Sequence, residues 1–169
     1  MGSVIVLDLD ETLIYACARQ EVKNCKNDPL LWNATCNTAA NKCREYGLQF
    51  VQTEHYFVFL RPHVVAFLQY CRANFKHLII FTAGNHSHAQ FVNQELFETL
   101  AKVKVDFLLH RESCGKFAQQ TSPDTTVLVP FQKNLCHLRE MVAENATPEQ
   151  LQTVNWQDCI FVDDFAFHA

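Results

Sequence analysis

Two carboxylates one residue apart, Asp8 and Asp10, close the apolar run Val4-Ile5-Val6-Leu7, and a hydroxyl follows at Thr12. A second pair, Asp163-Asp164, closes the run Ile160-Phe161-Val162. If both runs are strands lying side by side, the period of two turns Asp8 and Asp10 to one side and the four carboxylates converge at one edge. Anionic groups gathered without partners are costly, so such an edge calls for a bound cation, a shared proton or catalysis. The carboxyl ends of strands are also where open α/β sheets bind ligands. Oxygen-only donors with no nearby His-Cys set favour Mg2+ over zinc.

The elements that must position these groups follow from periodicity. Val4 to Leu7 and His77 to Phe81 read as buried strands. Arg61-Pro62 followed by Val64, Val65, Phe67, Leu68 and Cys71 has helical spacing, with Pro62 suited to a first turn, and predicts a helix to about Asn74. Phe91, Leu96, Phe97 and Leu100 suit a second helix packing back onto a sheet. Lys104 to His110 predicts a third strand and Val127-Leu128-Val129 a short one. Leu135 to Val142 predicts a helix and Asp158 to Val162 a last buried strand. This alternation is that of an α/β fold, a Rossmann-like parallel sheet flanked by helices.

Between Tyr15 and Arg44 the pattern fails. The stretch is rich in Asn and Cys, contains Asp28-Pro29, and predicts an inserted cap or loop. The β-prone runs Tyr46 to Gln52 and His55 to Leu60, on either side of Thr53-Glu54, predict a hairpin. The expectation is one domain over residues 1–169, with an insert over about 15–60.

The string Asp8-Leu9-Asp10-Glu11-Thr12-Leu13 resembles the first motif of the haloacid dehalogenase superfamily, in the branch of phosphatases acting on the C-terminal domain of RNA polymerase II. Further matches come in the same order. They are Leu60-Arg61-Pro62, Ile79-Ile80-Phe81-Thr82-Ala83-Gly84, Arg111-Glu112-Ser113-Cys114, Lys133-Asn134-Leu135 and Phe161-Val162-Asp163-Asp164. The resemblance implies a Mg2+-dependent phosphoserine or phosphothreonine protein phosphatase. Asp8 is the implied nucleophile, forming an aspartyl-phosphate, and Asp10 the implied acid and base. Thr82 and Ala83, with the following backbone amides, would bind the phosphoryl group, as would Lys133, and Arg111 would contact substrate phosphate or peptide. Mg2+ would be held by Asp8, the Asp10 carbonyl and Asp164, with Asp163 and Thr12 supporting from behind.

The implied partner is a phosphorylated protein or peptide, such as the polymerase C-terminal domain. A catalytically inactive phosphatase-like binding module, and a phosphohydrolase acting on lipid or small-molecule phosphates, are the alternative readings. Relatives carry a further strand and helix beyond the acidic pair, so the expectation is either that the C-terminal part of the fold is missing from this sequence or that the fold is minimal. Relatives also place Ser-Pro after that pair, where this chain has Phe165-Ala166.

Composition bounds the rest. Hydrophobic residues make up 49% of the 169, including 14 Phe, against 19% charged, which is a globular balance. A formal charge of -4 and no basic run argue against direct nucleic-acid binding. No apolar stretch approaches the roughly 20 residues that span a bilayer, so an intracellular protein, nuclear or cytoplasmic, is expected. The eight cysteines read mainly as reduced thiols. Cys17, Cys25, Cys36 and Cys43 lack the short spacing of a zinc knuckle. His86 and His88, just past Thr82, read as surface residues at a helix entry.

Overall fold

The computed structural model describes residues 2–18, 41, 45, 49–52, 56–114 and 137–164. The chain forms two compact units, one of residues 1–9 with 65–169 and the other of residues 10–64. The larger unit holds a four-stranded parallel sheet. Its strands are β1 (Gly2–Leu7), β5 (His77–Phe81), β6 (Phe107–Leu109) and β7 (Val154–Val162), in the order β6-β5-β1-β7. Successive strands step outward from β1 to β5 and β6, and the chain then returns to the other side of β1 for β7. The order therefore reverses at β1, the kind of place where an open α/β sheet binds its ligand.

β1 and β5 are the interior strands, and their sequences show why. Val4 to Leu7 and His77 to Phe81 are all buried, as a strand covered on both faces requires. On one face Val4, Val6, Ile79, Phe81, Phe107 and Leu109 form a core with Leu138, Met141 and Val142. Phe81 and Phe161 meet there edge to face, with ring centroids 6.3 Å apart. Alternation puts Ile5, Leu7, Leu78 and Ile80 on the opposite face.

Helix α1 (Val64–Asn74) matches the expected span, and Leu68 and Cys71 are buried on it. Arg72 pairs with Asp106 at 2.7 Å, and the same Asp106 carboxylate accepts the Leu78 amide, tying α1 to the entry of β6. Helix α2 (His86–Val92) is capped by the Asn85 side chain, which accepts the His88 amide, and continues as a π-helical stretch over Asn93–Ala101. The wider winding buries Leu96, Phe97 and Ala101 and leaves Leu100 37% exposed. The expectation that Leu100 packs on the sheet is corrected accordingly, since it assumed an ordinary helical period. Lys102 ends the stretch in the left-handed conformation.

A short helix α3 (Arg111–Cys114) follows β6. Helix α4 (Leu138–Asn145) then leads to α5 (Pro148–Thr153), which opens with a capping box from Thr147 and Gln150. The last strand differs from expectation. It starts at Val154, four residues early, and Ile160 is 50% exposed because β7 is the outermost strand of the sheet on that side among the described residues. β6 is shorter than expected, three residues within the run 104–110.

The smaller unit holds a three-stranded antiparallel sheet of β2 (Ile14–Ala18), β3 (Phe50–Gln52) and β4 (Tyr56–Leu60), in the order β2-β4-β3. β3 and β4 pair as the expected hairpin, Phe50 opposite Phe59 and Gln52 opposite Phe57, and β2 adds to the other side of β4, so that the first residues of the stretch expected to be cap or loop are strand. Ile14, Val58 and Leu60 are buried, while Tyr15 and Phe50 flank Phe59 across the other face. The expected strand at 127–129 and the residues Cys25, Cys36 and Cys43 lie outside the described residues.

Candidate functional site

Strand register assembles the carboxylates. Leu7 lies opposite Val162, so the residues that leave β1 and β7 together are Asp8 and Asp163, with Asp164 next. The Asp8 amide donates to the Val162 carbonyl at 3.0 Å, which fixes the two exits against each other. One carboxylate oxygen from each of Asp8, Asp163 and Asp164 lies within 4.8 Å of the other two. Asp8 is buried at 4% exposure, Asp163 half-buried and Asp164 exposed, so the cluster runs from the sheet interior to solvent. Three like charges at this separation repel one another strongly, and oxygen-only donors are what a hard divalent cation binds. The donor set thus suits Mg2+.

Thr82 leaves β5 beside this edge and is fully buried. Its amide donates to the Leu109 carbonyl at 3.0 Å, and its hydroxyl oxygen accepts the Gly84 amide at 2.9 Å. The Thr82-Ala83-Gly84 turn is therefore folded on itself, with the Gly84 amide directed to Thr82. Arg111 braces the same turn. Its amide donates to the Gly84 carbonyl at 2.9 Å, and its Nε donates to the Ala83 carbonyl at 2.9 Å.

A second cluster was missed as a group from sequence. His86 Nδ1 lies 3.0 Å from His110 Nε2, and His110 Nδ1 lies 2.8 Å from Glu112 Oε2, which also accepts the His86 amide at 3.0 Å. Glu112 is held below the usual carboxylate range chiefly by its own backbone amide; desolvation opposes this next, and His110 and the His86 amide add to the lowering. The signal available in sequence was only that His86 follows the β5 motif and His110-Arg111-Glu112 the β6 run. His88, expected at the surface, is buried with Ala89 and Val92. It is the third residue of α2 and shares the inward face with them.

In the smaller unit, Asp10 bridges Ile14, and the Glu11 amide donates to the Ile14 carbonyl at 2.8 Å. Glu11 takes a left-handed conformation at φ 65, which a residue with a Cβ adopts at a cost of about 1–2 kcal/mol. Arg61 clamps this turn, its amide donating to the Leu13 carbonyl at 3.1 Å and its guanidinium to the Glu11 carbonyl. The Leu60-Arg61-Pro62 motif does not by itself assign Arg61 this task. Thr12 sits in the turn, half-buried. Lys133 lies outside the described residues, as do Phe165 and Ala166.

Cys71 and Cys159 are free thiols, as the reading of reduced cysteines expects for these two. Burial pushes the Cys71 thiol up to about 11 and raises Cys159 as well. No described helix is long and apolar enough to cross a membrane.

Residues 3–168 match the family model described as NLI interacting factor-like phosphatase. Among solved structures, a variant of the fission yeast RNA polymerase II CTD phosphatase Fcp1 bound to beryllium fluoride is similar at 23% identity and a TM-score of 0.45. That match covers 67% of this chain and 30% of the phosphatase. A second structure, of Fcp1 described as an essential RNA polymerase II CTD phosphatase, is similar at 25% identity and a TM-score of 0.46. It covers 69% of this chain and 32% of that one. The aligned part of each phosphatase is thus about a third of its length. A comparison with curated proteins finds no match.

Proposed function

We propose that this chain, which belongs to the NLI interacting factor-like phosphatase family, is a Mg2+-dependent phosphoserine or phosphothreonine protein phosphatase. The observation that carries the reading is the convergence of Asp8, Asp163 and Asp164 at the edge where the strand order reverses. Asp8 and Asp164 would hold Mg2+ directly, with the Asp10 carbonyl as the motif's third protein ligand and Asp163 orienting from beside them. The bound ion would offset the carboxylate charge and stabilise charge on the phosphoryl oxygens.

The protein's own groups carry the steps. Ionised Asp8 attacks phosphorus as the ester P–O bond breaks, leaving an aspartyl-phosphate. Asp10 protonates the departing serine or threonine oxygen. It then takes a proton from the water that attacks the aspartyl-phosphate, so that inorganic phosphate leaves and Asp8 is restored. Thr82 and the Ala83 amide orient the phosphoryl oxygens, with the turn braced by Arg111. Lys133 supplies fixed positive charge, and Arg111 also meets substrate. Thr12 supports the Asp10 turn that Arg61 clamps.

The substrate class is a phosphorylated protein tail. The polymerase C-terminal domain is the first candidate, since the string Asp8-Leu9-Asp10-Glu11-Thr12-Leu13 resembles the branch of phosphatases that act on it. The protein works in the nucleus or cytoplasm as one phosphatase domain, with residues of about 15–60 as its insert. The test is hydrolysis of a phosphoserine peptide with and without Mg2+ by the parent and by Asp8→Asn and Asp10→Asn, all shown to be folded. Turnover that needs Mg2+ and is lost in both variants supports the reading. A folded, Mg2+-supplied parent without turnover on peptide or aryl phosphate would leave a binding module.

A further inference from the structure

His86 and His110 come from different connections, one after β5 and one after β6, yet their rings meet edge to face with centroids 4.6 Å apart. The chain of contacts orders their protons once the charge state is given. Glu112 accepts at Oε2, so His110 carries a proton on Nδ1; with His110 neutral, its Nε2 presents a lone pair and His86 donates to it from Nδ1. Glu112 thus stands behind His110 as a carboxylate stands behind a metal-bound imidazole, setting tautomer and ring orientation. With both rings neutral the trio carries one negative charge, contributed by Glu112. Two facing ring nitrogens share a single proton, and a cation can replace that proton if the rings pivot to place it beside the line that joins them.

We propose that His86 Nδ1 and His110 Nε2 form a second metal site that takes a nitrogen-preferring divalent ion such as Zn2+, distinct in donor type from the Asp8-Asp163-Asp164 cluster. Two Zn–N bonds at a tetrahedral angle place the nitrogens about 3.3 Å apart, so from the observed 3.0 Å the pair opens by a few tenths of an ångström and each ring pivots by roughly 35° to turn its lone pair off the N···N line and onto the ion. Binding requires no net proton release, because the His86 proton moves from Nδ1 to Nε2 through solvent. His86 is exposed and the His110 side chain is 16% exposed, so water can fill the remaining positions. Imidazole donors select Zn2+ and its d-block neighbours, whereas the carboxylate cluster selects Mg2+. An ion here ties the connection 82–86 to 110–113 more firmly and braces the Thr82 turn, which Arg111 already holds. None of this depends on the phosphatase reading.

The test is a calorimetric titration of the reduced full chain with Zn2+ in saturating Mg2+, on the parent and on His86→Ala, His110→Gln, Glu112→Gln and His86→Cys. The parent should bind one equivalent more than His86→Ala and His110→Gln, a difference that cancels any Zn2+ taken by the eight cysteines. Glu112→Gln should weaken that equivalent roughly 10- to 100-fold. His86→Cys should restore it and, loaded with Co2+, show a sulfur-to-cobalt charge-transfer band that exceeds the parent's. Repeating the count in Asp8→Asn keeps the result separate from whether the chain hydrolyses anything. Equal stoichiometry and affinity in the parent, His86→Ala and His110→Gln would overturn the site.

Discussion

The two ends of one sheet edge treat charge in opposite ways. Where β1 and β7 end, register brings together three groups of the same sign, Asp8, Asp163 and Asp164. Where β5 and β6 end, acceptor and donor alternate through Glu112, His110 and His86, and the chain of contacts closes on itself. The first arrangement gains from an outside cation because repulsion among its members falls when one lies between them. The second is held by its own protons, and a metal ion can only replace one of them. What an edge collects therefore decides how strongly it depends on an ion, and hard oxygen against borderline nitrogen decides which ion.

Breaking the carboxylate end should have the largest effect. Asp8→Asn keeps the side-chain size and removes the proposed nucleophile, and kcat on a phosphoserine peptide should fall at least ~10³-fold with Tm nearly unchanged. Asp164→Asn should leave catalysis possible at high Mg2+ while raising the Mg2+ needed for half-maximal rate by about 10- to 100-fold, read from a metal titration of the initial rate. If Asp164→Asn instead abolished activity at every Mg2+ concentration, its role would be in the chemistry rather than in holding the ion.

Breaking the histidine end should do less. Glu112→Gln removes the charge that accepts from His110 and the His86 amide, and kcat should fall less than tenfold because Arg111 still braces the Thr82 turn. The acid limb of stability should respond too. Folding holds the Glu112 carboxyl below its ordinary value of 4.5, so its contribution is present above about pH 4.5 and is lost as pH falls through the lower, folded value. Parent and Glu112→Gln should therefore converge in Tm as pH drops below about 4.5 and separate above it. A gap that widened on acidification would reverse the assigned sign.

Much of this was legible in the sequence because uninterrupted apolar runs have few places to go. Val4 to Leu7 and His77 to Phe81 had to be interior strands, and the residues just past such strands had to lie at an edge. Asp8, Thr82 and the acidic pair therefore lie at that edge, as their positions in the sequence require. The hairpin at the end of the insert was legible for the same reason, from β-prone runs around a short break. Other features depend on geometry that periodicity does not carry. The π-helical winding turned Leu100 outward, and the start of α2 at His86 turned His88 inward. The early start and half-exposed face of β7 follow from its outer position. The bonds of Arg61 to the Glu11 turn, and the meeting of His86 with His110, join residues 50 and 24 positions apart, where a single sequence offers no pattern to read.

The most direct test of the central claim is to quench the Mg2+-loaded protein in acid during turnover of a phosphoserine peptide and map covalent phosphate by mass spectrometry. A phosphoryl group on the peptide that contains Asp8, absent from Asp8→Asn, is the predicted result. Robust turnover with no such adduct, or with undiminished rate in Asp8→Asn, would contradict the assignment of Asp8 as the nucleophile.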